Sequence, residues 1–188
     1  MSRPPGRSGG TPQPTSAAAP VSVAVPPSLV EVLRDGPAPL IPGGAERADS
    51  VRAGLSACSN AATIILIHDA ARPLISVRDI DRVIAAAKRH GAAILAEPVI
   101  DTIKLAKDFA IGRTIDRAHL WKAQTPQGFT RDLIFKAHCG KLARQATDDS
   151  LLAERLGARV RVVPASGDNL KVTTPHDLEI AAWLLRRK

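Results

Sequence analysis

An α/β fold built on a mostly parallel sheet is what the sequence predicts. Short β-rich runs alternate with helical patterns from Val21 onward, which is the order a βαβ chain produces. The run at residues 63–67 is apolar or β-branched throughout, as suits a strand buried on both faces. The helical patterns also carry recognisable start and stop residues.

In chain order, residues 1–20 are dominated by Pro, Gly, Ser, Thr and Ala. Such a stretch cannot bury enough apolar surface to offset its ordering entropy, so a disordered tail is expected. Within it Gly6-Arg7-Ser8-Gly9-Gly10 mimics a phosphate loop, but no strand precedes it and no helix follows. The ordered domain is expected over 21–188. Residues 21–25 read as a strand closed by Pro26-Pro27, followed by the strand at 63–67. Ile80, Val83, Ile84 and Ala87 recur at helical spacing in a segment from Asp79 to His90 that stops at Gly91. Residues 93–96 and 160–163 are further strand candidates. Alternating polar and apolar residues between Ile100 and Trp121 predict a two-stranded projection beyond the main sheet. Gln124-Thr125-Pro126-Gln127 reads as a turn. Thr147 is placed to cap a helix that ends at Gly157, and Thr174-Pro175-His176-Asp177 opens the last helix with a cap residue and Pro at its first position.

Composition narrows the classes of function. The chain has 188 residues, 45% of them apolar and 23% charged, enough for one sizeable core. Its apolar runs end well short of the roughly 20 residues of a membrane span. The formal charge of +8 favours anionic partners. With 3% aromatic residues and no Tyr, stacking platforms for single-stranded nucleic acid are hard to assemble, so phosphorylated metabolites are expected and nucleic acid is not. Cys58 and Cys139 stand far apart, outside any C-x-x-C spacing, and no secretory signal is present, which predicts a reducing, cytoplasmic setting.

Three motifs can carry chemistry. His68-Asp69-Ala70-Ala71-Arg72-Pro73 follows the buried run, at the carboxyl end of a strand where open α/β sheets bind ligands. There an Asp can hold a sugar hydroxyl and an Arg can grip phosphate; a plain Asp–Arg ion pair is the equally weighted alternative. Gly43-Gly44 precedes a helix pattern and lets backbone amides approach a ligand, with Ser50 able to cap that helix or meet a base, although a plain turn is the more common reason for two glycines. Lys171 lies just ahead of the final helix, where phosphate would meet a charge and free amides; a lysine taken alone is more often a solvated surface residue. His68, His90, His119, His138 and His176 show no metal-ligand spacing, so no protein metal site is expected. No Ser or Cys sits in a nucleophile elbow, so covalent catalysis has no support.

These segments, together with Asp101-Thr102-Ile103-Lys104, Thr147-Asp148-Asp149 and Asn169-Leu170-Lys171-Val172-Thr173, fall in the order found in the 2-C-methyl-D-erythritol 4-phosphate cytidylyltransferase family, which the chain closely resembles. The resemblance implies a Rossmann-like, mostly parallel sheet of the nucleotidyltransferase type with a projecting β-arm at about residues 100–121. It also implies a homodimer in which that arm reaches the partner's site. The implied reaction is attack of methylerythritol phosphate on the α-phosphorus of CTP, with release of pyrophosphate and a divalent cation, magnesium, on the triphosphate.

By matching position, Gly43, Gly44 and Ser50 would bind the nucleotide base, and Asp69 with Ala70 the ribose. Lys171 would lie by the α-phosphate and the incoming phosphate. Arg72, Thr102, Arg117, Thr125 and Thr147 would surround the acceptor, with Thr102 and Arg117 supplied by the other subunit and Arg117 and Lys171 catalytic. Ala45 departs from the acidic residue some members carry beside the base. The family's first strand, its glycine-rich loop with Arg and its Pro-Lys-Gln segment have no counterpart ahead of residue 21. A non-catalytic remnant that dimerises or binds a sugar phosphate, and a cytidylyltransferase acting on ribitol phosphate, are the alternative expectations.

Overall fold

The computed structural model describes residues 23–25, 39–139 and 146–187, so the predicted tail at 1–20 lies outside the described residues. Strand β1 (Val23–Val25) pairs in parallel with β2 (Leu40–Pro42). Helix α1 (Arg47–Ser56) follows, with Glu46 as its N-cap and the Asp49 carboxylate accepting from Glu46 N at 3.3 Å. The cap is therefore not Ser50, which lies within the first turn, where its Oγ accepts from Gly44 N at 3.2 Å.

Strand β3 (Ile64–Ile67) leads through the His68–Arg72 loop to helix α2 (Val77–His90). Ser76 caps α2 by accepting from Asp79 N at 3.1 Å, and the helix stops at Gly91, whose φ of 87° a side chain would oppose. Strand β4 (Ala92–Pro98) is buried from Ala92 to Ala96. Next come β5 (Ile103–Lys107) and β6 (Ala110–Ile115), an antiparallel pair turned by Asp108 and Phe109, both with positive φ as a tight primed hairpin turn requires. The alternating pattern at 100–121 thus forms a two-stranded hairpin, separate from the main sheet.

Strand β7 (Trp121–Thr130) is the element the sequence conceals. The Gln124–Gln127 segment, read as a turn, runs through its middle. Proline at 126 has no N–H for a ladder and so reads as a break. The strand accommodates it at an irregularity: Ile94 pairs with Gln127 and Ala96 with Ala123, so Gln124, Thr125 and Pro126 bulge opposite Leu95. The Thr125–Pro126 peptide is cis. Helix α3 (Arg131–His138) continues directly from β7 and has no counterpart among the sequence expectations. Helix α4 (Asp149–Arg155) is capped by Asp148, whose Oδ1 accepts from Leu151 N at 3.0 Å; Thr147, the expected cap, stands one residue too early. Strand β8 (Arg161–Pro164) and helix α5 (Pro175–Leu185) complete the chain, with Thr174 capping α5 as predicted.

Among the described residues the main sheet has the order β3-β7-β4-β8. Strands β3, β4 and β8 run one way and β7 runs against them, which makes the sheet mostly parallel in strand direction. Side chains alternate between two cores. Ile65, Ala92 and Phe129 pack with α1, α3 and α4, while Ile64, Leu66, Ala93 and Leu95 pack with α2 and Val163 of β8. Gly128 lets α2 lie close on the sheet, because a Cβ there would stand 2.9 Å from Val83 Cγ1 and 3.0 Å from Leu66 Cδ2. No helix among the described residues is long and apolar enough to cross a membrane.

Candidate active site

The loop after β3 is tied to β7 by one threonine. Thr125 Oγ1 accepts from Asp69 N at 2.9 Å and lies 3.0 Å from His68 Nδ1. Its own proton is then free to go to Nδ1, and His68 Nε2 donates to the Arg72 carbonyl at 3.1 Å. Both ring nitrogens are used by a neutral imidazole with its proton on Nε2. Burial, above all, keeps His68 below the usual histidine pKa, consistent with that tautomer.

A second loop, ahead of α5, closes on the first. Val172 N donates to Ala71 O at 2.7 Å, Arg72 Nη1 donates to Asn169 O at 2.7 Å, and Lys171 Nζ lies 2.9 Å from Asp69 Oδ2. Asp69 therefore pairs with Lys171 across about a hundred residues, rather than with Arg72 as the structural alternative supposed. Asn169 is buried and spends both amide hydrogens on β7, one on Gln124 Oε1 and one on Thr125 O, each at 2.9 Å. The carbonyl released by the bulge is thereby satisfied. Among the described residues Arg72 Nε is buried without a partner, which leaves a guanidinium donor uncommitted at this edge.

Opposite these loops stands the start of α4. Gln127 Nε2 donates to Asp148 Oδ2 at 2.9 Å, and Gln127 Oε1 accepts from Ser150 N at 3.0 Å. Between the two sides lies a cleft of about 320 Å³ walled by Arg47, Asp69, Arg72, Gln124, Thr125, Gln127, Thr147, Asp148 and Lys171, with Ala123 at its edge. Arg47, Arg72 and Lys171 give it three cationic side chains against the carboxylates Asp69 and Asp148. A group of cations around a polar floor of amides and hydroxyls suits phosphate esters, which Arg and Lys orient through charge-assisted hydrogen bonds.

Of the residues singled out in the sequence, Asp69, Arg72, Thr125, Thr147 and Lys171 meet in this cleft. Gly43, Gly44 and Ser50 lie at the start of α1, whose first residue Arg47 is part of the wall. Ala70 is exposed on the loop beside Asp69. Thr102 and Arg117 flank the β5–β6 hairpin outside the cleft wall, and Arg117 Nη1 donates to Ile100 O. Sequence reasoning missed Arg47, Gln124, Gln127, Asp148 and Asn169 as individual site residues. Their signal was membership of the quoted segments, Arg47 between Gly44 and Ser50 and the others beside Thr125, Thr147 and Lys171, which does not distinguish a wall from a solvated loop.

The family model described as 2-C-methyl-D-erythritol 4-phosphate cytidylyltransferase matches residues 19–187. A protein of that description from Pelotomaculum thermopropionicum is 47% identical over 156 residues, covering 80% of this chain and 65% of the relative. Another from Syntrophotalea carbinolica is 52% identical over 149 residues, covering 78% and 64%. The chain thus spans just under two thirds of the length of these curated relatives. Among solved structures, the 2-C-methyl-D-erythritol 4-phosphate cytidylyltransferase from Thermus thermophilus superposes with a TM-score of 0.78 at 38% identity, over 89% of this chain and 82% of that one. A 4-diphosphocytidyl-2C-methyl-D-erythritol synthase from Anaerococcus prevotii gives 0.79 at 28% identity, over 89% and 81%. With the motifs in register, the nucleotidyltransferase-type fold matched and the family model covering nearly the whole chain, this protein belongs to the 2-C-methyl-D-erythritol 4-phosphate cytidylyltransferase family.

Proposed function

We propose that this protein transfers CMP from CTP to 2-C-methyl-D-erythritol 4-phosphate, releasing pyrophosphate, as a step in isoprenoid precursor synthesis in the cytoplasm. An oxygen of the acceptor phosphate forms the new bond to the α-phosphorus, and the bond from that phosphorus to the β-bridging oxygen breaks. No protein nucleophile is required, so the work of the side chains is to hold two anions in line and stabilise the charge that spreads between them. The observation that carries this reading is the Asp69–Lys171 contact, which sets an ammonium in the cleft that Arg72 also lines and so supports a phosphate at Lys171 and a ribose hydroxyl at Asp69.

In this proposal Gly43, Gly44 and Ser50 meet the base, Asp69 and Ala70 the ribose, and Lys171 the α-phosphate and incoming phosphate. Arg72, Thr125 and Thr147 hold the acceptor. Thr102 and Arg117 act on the cleft of a second subunit in a homodimer, reached by the β5–β6 hairpin, with Arg117 positioning the acceptor phosphate. The hairpin's exposed Leu105, Phe109 and Ile111 support a surface that another copy covers. Magnesium is proposed to arrive with the triphosphate. Among the described residues no group of three or more His, Cys, Asp or Glu is placed to hold a metal ion. Asp69 gives Oδ2 to Lys171 and is left with one oxygen for the ribose, and Asp148 is held by Gln127, Ser150 and Leu151 N. These side chains do not fit a protein-held metal, and no step is assigned to one.

The test is pyrophosphate release by the full chain from CTP with methylerythritol phosphate or ribitol phosphate. Turnover with methylerythritol phosphate is expected, accompanied by a dimer mass in light scattering. A folded chain that binds the sugar phosphate without turnover would reverse the assignment to a binding protein, and faster turnover of ribitol phosphate would change the acceptor.

A further inference from the structure

Three helices meet through a buried carboxylate. Asp149, the first residue of α4, accepts from His138 Nε2 at 2.9 Å on Oδ1 and from Arg47 Nη2 at 2.6 Å on Oδ2. His138 is the last residue of α3 and Arg47 the first of α1. The His138 and Asp149 side chains are only 3% and 1% exposed, whereas Arg47 is 41% exposed and lines the cleft. Burial opposes ionisation of Asp149, but the hydrogen bonds from His138 and Arg47 outweigh it and hold the carboxyl below its usual pKa. Likewise burial works against the Arg47 charge, and the bond to Asp149 with the fields of Asp149, Asp69 and Asp148 more than restores it.

The geometry is that of an anchored guanidinium. One side of Arg47 is fixed by a carboxylate that cannot rotate freely, because its second oxygen is held by His138. Among the described residues His138 Nδ1 is buried with no partner, and the ring's hydrogen bond there is the one to Asp149. An imidazole with its proton on Nε2 satisfies Asp149 and leaves only a bare lone pair on Nδ1. A buried donor held on one oxygen of a carboxylate restricts how that carboxylate can turn.

We propose that Arg47 is a further substrate-binding residue, gripping the acceptor phosphate, and that His138 is its positioning residue, acting through Asp149. This rests on the function proposed above. Arg47 shares the cleft wall with Thr147, Arg72 and Lys171, so three cationic side chains line the cleft in which Thr147 is proposed to hold the acceptor. Without His138, the free Asp149 oxygen turns to seek another donor and the guanidinium loses its fixed direction.

The test compares His138→Leu, His138→Gln and Arg47→Ala in the full chain, using methylerythritol phosphate in calorimetry and in steady-state turnover, with thermal melts alongside. In the Gln variant the side-chain amide can still donate to Asp149; in the Leu variant nothing can. Expected is a rise of about tenfold in the KM and dissociation constant for methylerythritol phosphate in H138L and R47A, with the KM for CTP unchanged. In H138Q both should return to within about twofold of the parent. A merely structural role would lower the melting temperature of the His138 variants without this selective KM change. Folded H138L with unaltered acceptor affinity, H138Q as weak as H138L, or a change confined to CTP would overturn the proposal. A parent chain that turns over CTP only with another acceptor, or binds no methylerythritol phosphate, would instead overturn the function on which it rests.

Discussion

Lys171 Nζ stands 2.9 Å from Asp69 Oδ2, so one ion pair locks the loop that follows β3 against the loop that leads into α5. The two side chains are 47% and 23% exposed, which limits what the pair adds to stability to about 0–1 kcal/mol. Its value lies in where it puts the charge.

Replacing Lys171 with Met should therefore separate activity from stability. The turnover efficiency with CTP and methylerythritol phosphate is expected to fall by about a hundred- to a thousand-fold, the scale of losing one preorganised charge partner. Calorimetric melting should barely change. A large drop in melting temperature with intact turnover would show that the pair is structural.

Asn169→Ala should do both. It strips the donors from Gln124 Oε1 and from the Thr125 carbonyl, groups at buried positions in the β7 bulge. Leaving buried acceptors unpaired costs about 1–3 kcal/mol each at most. A loss of unfolding free energy of that order is expected in urea titrations, together with a raised KM for the acceptor, because the loop that carries Lys171 loses its attachment to β7.

At Gly128 the effect should be purely one of packing. An added methyl would press on Val83, Leu66 and, at 3.2 Å, Ala87 Cβ, between the sheet and α2. Gly128→Ala is expected to destabilise by about 1–3 kcal/mol, the range for overpacking a filled core. Denaturant unfolding measures it, and an unchanged midpoint would mean that α2 can lift at no cost.

Two groups, His68 and Asp177, give acid-side losses of stability that single substitutions can isolate. His68 has a folded pKa below its unfolded value of 6.5, so the unfolded chain binds more protons as the pH falls past that point. Its contribution is present above about pH 6.5 and is lost progressively on acidification. Protonation also turns Nδ1 into a donor and ends its bond from Thr125. His68→Asn should flatten the stability slope between about pH 5 and 7 in melts taken at half-unit steps. Asp177 is held down to about 2, chiefly by the Thr173 amide and hydroxyl and by Thr174. Its contribution is present above the ordinary carboxylate pKa and disappears as the pH falls toward 2, a window that Asp177→Asn should remove.

Much of the frame was legible from local chemistry. Gly91 ended α2, and Thr174 with Pro175 opened α5, because caps act within a turn of the residues they serve. The apolar run ahead of His68 was a strand because nothing else buries four such side chains on two faces. Strand β7 was not legible: Pro126 lacks the N–H that a ladder uses, and only the partners β3 and β4 on either side, with Asn169 taking up the free carbonyl, make a strand of it.

For the site, the sequence by itself determined which segments carry charge and hydroxyl groups: the Asp69 and Arg72 loop, Thr125, Thr147 and Lys171. It did so because short motifs record local geometry and reactive group together. Only the tertiary structure decided that Asp69 faces Lys171 rather than Arg72, and that Arg47 turns into the cleft on the anchor of Asp149 and His138. Those pairings join residues up to 102 positions apart. No local pattern encodes them, since they follow from how the strands order themselves and which helix ends that order brings together.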